Sequence, residues 1–398
     1  MIAAIRNLPR TVWLVAVISL VNDAASDMIY PLVPLYLTSV LMAGPKALGL
    51  IEGIAEAVSS LLKLFAGILA DRSGKVRAWV IAGYGLAGFA RPLIGLTTSW
   101  LGVLACRFAD RVGKGLRSAP RDALISLSIE PSQRGLAFGF HRAMDNLGAV
   151  VGPLAAAALL AFGVSIRHIF LLAIVPALVV LALAFTVPEP EQPASLSKGP
   201  LRWTFSGLPP AFRRYLIVLM LFTLGNSSNM FLLLRANELG ASATRVTLMW
   251  ALFSFTAALL STPLSALSDT WGRSRVLAIA WFAYAGAYLA MGWMPAADWA
   301  LWLTFVGYGV ITAALEGTEK ALVADLVPRE RSGTAFGWYN LVSGIFLLPA
   351  SLIFGWIWSA IAPAAAFDFG AACALAAALL LLFWVVPAKF APDPAQPR

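Results

Sequence analysis

Ionisable side chains set at helical intervals within apolar runs are the residues of this sequence with chemistry to perform. Asp23, Asp27 and Tyr30 stand four and three residues apart, so a helix places all three on one face. Glu52, Glu56 and Lys63 repeat the pattern at spacings of four and seven. Arg107, Arg111, Lys114, Arg117 and Arg121 form a cationic stripe with Asp110 beside it, and His141, Arg142 and Asp145 follow on the next apolar stretch. A charge at membrane depth is costly and normally faces a cavity or an opposite charge. These residues therefore suit substrate binding, or a carboxylate that takes up and releases a proton. Asp23, Asp27 and Asp145 are the preferred proton carriers, because movement of a neighbouring arginine changes how tightly a buried carboxylate holds its proton.

At about 1.5 Å of rise per residue, Asp23 is expected near the midplane and Asp27 further out, with Arg107, Arg111 and Asp145 at similar depth; with Glu56 and Arg142 these are the central candidates, and Asp110 is a further site candidate. The second half is plainer. It offers Asn226 and Asn229, Glu316, and Tyr339 with Asn340, a set suited to hydrogen bonding and shape. The deep segments of the first half, with Arg91 and Asp122 included, carry eight cations against seven anions, a balance that equally suits structural ion pairs and argues against a simple anion site. His141, near the start of its segment, is expected to make an ordinary hydrogen bond.

The elements that must hold these residues are membrane helices. Of 398 residues, 60% are hydrophobic and 12% charged, far from the balance of a soluble domain. A span needs roughly 20 apolar residues, and the sequence predicts twelve: 11–40, 47–70, 78–96, 100–127, 136–162 and 166–187, then 214–234, 245–267, 276–294, 299–327, 334–359 and 364–386. The expected domains are a six-helix bundle over 1–187, a Pro-rich charged linker over 188–213 and a second bundle over 214–398. The apolar run after Arg6 and Arg10 is too long for a signal peptide and is expected to be retained.

With the N-terminus inside, the inner segments collect 16 Lys and Arg against 4 in the outer loops, Lys46, Arg167, Arg235 and Arg245. This asymmetry predicts two cytoplasmic termini. The net charge of +9 is dispersed in short loops, so no nucleic-acid partner is expected. Cys106 and Cys373 both lie in apolar segments, and neither a disulfide framework nor a cofactor or metal site is suggested.

The chain repeats itself with an offset near half its length. GILADRSGKVR at 67–77 matches SALSDTWGRSR at 265–275, pairing Asp71 with Asp269, Gly74 with Gly272 and Arg77 with Arg275. PSQRGLAFGF at 131–140 matches PRERSGTAFGW at 328–338. Two parallel six-helix repeats are a transporter architecture. With Gly67, Asp71, Arg72, Gly74, Lys75 and Arg77 between the second and third spans, the sequence resembles the major facilitator superfamily across essentially its whole length. GAVVGP, with Gly148, Gly152 and Pro153, resembles the motif of that family's antiporters and drug exporters; plain close packing explains the same residues. CRFADRVGKG departs from the family's fourth-helix pattern, so only Arg107 corresponds to its arginine.

The resemblance implies an all-α polytopic fold of twelve helices and alternating access, with protons as coupling partner, export as direction and the lipid bilayer as surroundings, at the inner (cell) membrane of a bacterium. It implies a gate in which Asp71 meets the start of the eleventh helix and Asp122 pairs with Arg72 or Arg77, closing the cytoplasmic side. The expected cargo is a small polar or charged organic compound. Asn22, Asp23, Asp27, Glu52 and Glu56 also offer oxygen ligands to a hard metal cation, which the neighbouring arginines oppose; uptake is a further alternative. A sensor or membrane-embedded enzyme ranks lower: the sequence has no nucleophile motif or phosphate-binding loop.

Overall fold

The computed structural model describes residues 6–73, 75–130, 134–189, 208–328 and 332–386, and every regular element among them is helical. The first six helices are α1 (Arg10–Val40), α2 (Pro45–Ser73), α3 (Val76–Leu96), α4 (Trp100–Leu127), α5 (Arg134–Ala161) and α6 (Ile166–Ala184). The second six are α7 (Pro210–Glu238), α8 (Ala243–Trp271), α9 (Arg273–Trp293), α10 (Asp298–Asp325), α11 (Ser332–Ala360) and α12 (Pro363–Val385). Each expected span coincides with one of these rods, its ends displaced by four residues or fewer.

Ten of the rods are long and apolar enough to cross a membrane. The exceptions, α2 with 29 residues and α4 with 28, have the length but carry the two densest charge patterns of the chain. They pack against each other, which lets their opposite charges meet inside the protein.

Three rods are interrupted where local chemistry opposes a continuous helix. In α1 the regular turns stop at Ile29, and after Tyr30 and Pro31 the chain resumes over Leu32–Leu35 and a wider turn over Tyr36–Val40; Pro31 brings no N–H to the ladder. In α6 the break is a single residue, Ala173. In α7 the segments Pro210–Gly225 and Met230–Glu238 flank Asn226–Asn229. Side chains of this type compete for backbone groups, and Ser228 Oγ accepts the Met230 N–H at 3.3 Å.

The halves meet along α2 with α11 and α5 with α8, and where the second segment of α1 crosses α7. Small residues make these approaches possible. A methyl group on Gly49 would strike the Ser351 carbonyl, and one on Gly53 would lie 2.9 Å from Leu348 Cδ1. Within the first half, Gly148 and Gly152 bring α5 against the backbone of α1 at Leu20 and Ala24.

The ends of the bundle differ. At the end away from the termini, Leu32, Val33, Leu35 and Tyr36 of α1 and Met230–Leu234 of α7 are buried in an apolar core that runs across both halves. A smaller core, including Val12, Val15, Val80, Leu124 and Phe140, belongs to the first half alone. The far end is sealed by packing between the halves.

Candidate functional site

Six of the first-half charges form one largely buried network. Arg91 on α3 donates to Asp110 Oδ1 at 2.9 Å and to Asn22 Oδ1 at 3.0 Å. Arg107 donates from Nη2 and Nε to Glu52 Oε1 at 2.6 and 2.9 Å, and from Nη1 to Asp110 Oδ2 at 3.3 Å. Arg111 pairs with Glu56 at 2.9 Å. Arg91, Arg107, Asp110 and Glu52 are all buried, and buried charges persist only when paired in this way. Four helices are tied together by it, so these residues are engaged with one another before any ligand arrives.

Arg91 and Glu52 were ranked below the central candidates from sequence, yet the structure places them at the heart of the network. Their spacing along the chain, 39 residues apart on different helices, carried no sign that Asp110 and Arg107 would join them. Because Glu52 and Glu56 are taken by guanidinium groups, the oxygen-rich set of α1 and α2 does not converge on a cation, and no group of three or more metal-ligating side chains occurs among the described residues.

A second group lies nearer the termini. Ser19 Oγ is 2.8 Å from His141 Nε2, 3.3 Å from the Tyr84 hydroxyl and 3.5 Å from Arg121 Nη1. His141 Nδ1 is 3.6 Å from Asp145 Oδ2, while Asp145 Oδ1 is buried and has no hydrogen-bond partner among the described residues. Asp23 accepts from Asn22 Nδ2 at 2.8 Å. Arg117 is stacked over Tyr84, 4.6 Å from the ring centre. Arg142, on the same helix as Asp145, is exposed.

Asp27 is set apart from both groups. Among the described residues it accepts only the Trp250 indole N–H, at 3.4 Å, and it borders a cavity of about 220 Å³ lined also by Asn146, Asn229, Phe253, Ser254 and Thr312. A second cavity, of about 270 Å³, shares Asn229 and Thr312 with the first and continues along Asn226, Tyr284, Tyr308, Glu319, Lys320 and Tyr339. Lys320 is exposed, six residues from the sealed end's opposite limit of α10 at Asp325 when both are counted, so this lobe runs toward the termini.

The interrupted α7 supplies the amides of this path. Asn226 Oδ1 accepts from Tyr284 at 3.1 Å and Asn229 Oδ1 from Tyr308 at 2.9 Å, while Ser227 Oγ lies 3.4 Å from the Tyr288 hydroxyl. Tyr339 donates to Glu319 Oε2 at 2.8 Å. The structure thus brings Asn226, Asn229 and Tyr339 to the cavities and leaves Asn340 exposed on α11. The Glu316 side chain lies outside the described residues. The sequence does not single out Tyr284, Tyr288 and Tyr308, since aromatic residues in apolar helices look like core; their hydroxyls reach Asn226, Ser227 and Asn229 where α7 breaks opposite them.

Of the expected gate, the side chains of Gly67, Asp71 and Arg72, and all of Gly74, lie outside the described residues. Asp122 does not meet Arg77: it accepts from Arg121 at 3.0 and 3.1 Å. Arg77 is tied instead to the end of α6, through its backbone N–H to Glu189 at 3.1 Å and its guanidinium to the Phe185 carbonyl. In the second-half copy, Arg273 bridges Asp269 at 3.1 Å and Asp325 at 2.7 Å, fastening the α8–α9 turn, where Gly272 has φ of 92°, to the end of α10. Pro153 follows Gly152 inside α5 and is itself buried.

Two helical bundles, a cavity shared by them and a repeated α2–α3 turn match a family already known. The model of the Major Facilitator Superfamily aligns with residues 15–234 and again with 215–398. The chain belongs to that superfamily. An uncharacterised MFS-type transporter of Methanocaldococcus jannaschii is 35% identical to this transporter over 385 residues, covering 95% of this chain and 96% of the relative. The multidrug resistance protein MdtH of Photorhabdus laumondii is 30% identical over 128 residues, covering 32% of this chain and 31% of that one. The crystal structure of a mutant of the nucleoside transporter NupG superposes with a TM-score of 0.80 at 13% identity, covering 96% of this chain and 100% of that one. The transporter is therefore a multi-pass membrane protein of this fold.

Proposed function

We propose that this transporter exports a small polar or charged organic compound in exchange for protons, by alternating access around the paired cavities. The observation that carries the proposal is the arrangement of those cavities: one is walled by both halves, with Asp27 and Asn146 facing Trp250 and Ser254, and it meets at Asn229 and Thr312 a second lobe within the second half, below a sealed far end. The excess of Lys and Arg in the segments on the side of the termini supports a cytoplasmic location for that side. The conformation described here is then inward-facing, ready to load cargo from the cytoplasm. The partial relationship to proteins named for multidrug resistance favours export.

Asp145 is our choice for the proton carrier. Glu52, Glu56 and Asp110 are committed to arginines, whereas Asp145 has an unpartnered buried oxygen and faces His141, with Arg121 also reaching Ser19. Rocking of the halves would change its exposure to either side, the physical requirement for moving a proton with a conformational cycle. Residues 1–187 and 214–398 would be the rocking units, joined by 188–213. The α2–α3 turn and its copy at Asp269 and Gly272 would latch the cytoplasmic side in the opposite state.

The test is proton movement in proteoliposomes under an imposed pH gradient, with panels of candidate organic compounds. Substrate-dependent proton flux is expected, and Asp145→Asn should abolish flux while substrate still binds. Full coupled flux in Asp145→Asn would remove that residue from the role. Labelled substrate moving without any proton flux would remove coupling altogether.

A further inference from the structure

Resting on the transport reading above, we infer that the cargo carries a cationic nitrogen on an organic frame, held beside Asp27 with the frame against a wall of aromatic rings. Asp27 stands out among the buried carboxylates of the first half. Asp110, Glu52 and Glu56 each hold at least one guanidinium, but among the described residues no lysine or arginine comes within ion-pair distance of Asp27. Arg111 and Lys114 on α4 act on it electrostatically, and Arg111 is already held by Glu56. Among the described residues, the one donor that reaches Asp27 is neutral, at 3.4 Å, and supplied by the other half of the molecule. A carboxylate at a cavity wall in this state is an incomplete ion pair.

The wall beside it has the chemistry that a cation prefers. Tyr30 stacks on Trp250 with ring centres 5.0 Å apart, Trp250 on Phe253 at 4.5 Å, and Phe253 on Tyr308 at 5.5 Å. This row runs from α1 across α8 to α10 and borders both cavities. Arg107 stands 5.9 Å from the Tyr30 ring centre, while Trp250, Phe253 and Tyr308 have no protein cation over them among the described residues. Aromatic rings attract organic cations through their negative faces and add apolar contact to the frame. An anionic cargo would face Asp27 with the arginine positions of the network occupied.

The other lobe says what the far part of the cargo offers. Tyr284 and Tyr308 donate to the Oδ1 atoms of Asn226 and Asn229, which fixes the orientation of both amides. Their Nδ2 groups remain as donors along the cavity, so the tail should carry hydrogen-bond acceptors, such as carbonyl, ether or hydroxyl oxygens.

Three small probes test the charge preference on the full chain in detergent: phenyltrimethylammonium, a permanent cation; benzenesulfonate, a permanent anion of similar size; and neutral benzyl alcohol. Binding is read by ligand-observed NMR. Phenyltrimethylammonium should bind about tenfold more tightly than the other two, a difference of about 1.4 kcal/mol. Asp27→Asn, which keeps the side-chain shape, should erase that preference. Asp298→Asn, which neutralises an exposed carboxylate away from both cavities, should retain it. Equal or tighter binding of benzenesulfonate or benzyl alcohol, or an undiminished preference in Asp27→Asn, overturns the inference.

Labelled phenyltrimethylammonium in proteoliposomes separates this inference from the transport reading. Vectorial movement of all three probes without charge preference would leave transport standing and overturn the cationic cargo. Binding that depends on Asp27 with no movement of the cation would leave the site standing and overturn transport.

Discussion

The two halves share a fold and divide its interior differently. In the first, Arg91, Arg107, Arg111, Asp110, Glu52 and Glu56 knit α2, α3 and α4 together by paired charges. In the second, the corresponding depth holds amides and phenols, with Tyr284, Tyr288 and Tyr308 grouped around the broken α7. The contrast teaches that a cluster of charge in a membrane interior is not automatically the binding site. The densest charges here are satisfied by each other, and the cavities are lined mostly by uncharged groups, with Asp27, Glu319 and Lys320 the charged exceptions.

The largest expected effect comes from breaking the first-half network. Asp110→Ala leaves Arg91 and part of Arg107 without their carboxylate, and removing one partner of a buried pair costs about 3–5 kcal/mol. Thermal unfolding in detergent should show a large loss of stability. A native midpoint for Asp110→Ala would mean that the network is not the scaffold described here.

Next is the α1–α5 approach that carries Asp23 past Asp145. Gly152→Ala places a methyl group against the Ala24 carbonyl and should destabilise by about 1–3 kcal/mol, as overpacking does. Gly286→Ala in the second half, with nothing near its added methyl, is the matched control and should leave the midpoint in place. Equal effects at the two glycines would contradict the close approach.

Tyr308→Phe sharpens the comparison from the other side. Losing the hydroxyl that holds Asn229 should cost about 0.5–1.5 kcal/mol of stability. The clearer result should appear in transport, as a raised KM, because the Asn229 amide is no longer oriented. Unchanged KM would place Asn229 outside the binding path.

The smallest effect belongs to an ion pair at the surface of the second half. Arg245 and Asp298 are 52% and 54% exposed at their side chains and 3.3 Å apart, and such pairs contribute less than about 1 kcal/mol. Asp298→Asn should unfold within error of the parent protein. A loss comparable to that of Asp110→Ala would erase the distinction between buried and exposed pairing on which the comparison rests.

The sequence by itself determined the helical rods and the repeat, because long apolar runs and half-length self-similarity are local and periodic signals. Even α2 and α4, which are too charged to pass as ordinary spans, were legible from their length and from their positions in the repeat. It also identified nearly all of the ionisable residues of interest, since charge in an apolar run is conspicuous. Which of them are engaged was decided by tertiary structure alone. Asp27 and Asp110 are equally acidic and similarly placed in apolar sequence, yet Asp110 lies among three arginines and Asp27 faces a cavity and an indole. The physical reason is that pairing depends on distances between different helices, set by where glycines such as Gly148 and Gly152 let backbones approach, and helical spacing along one segment carries none of that information.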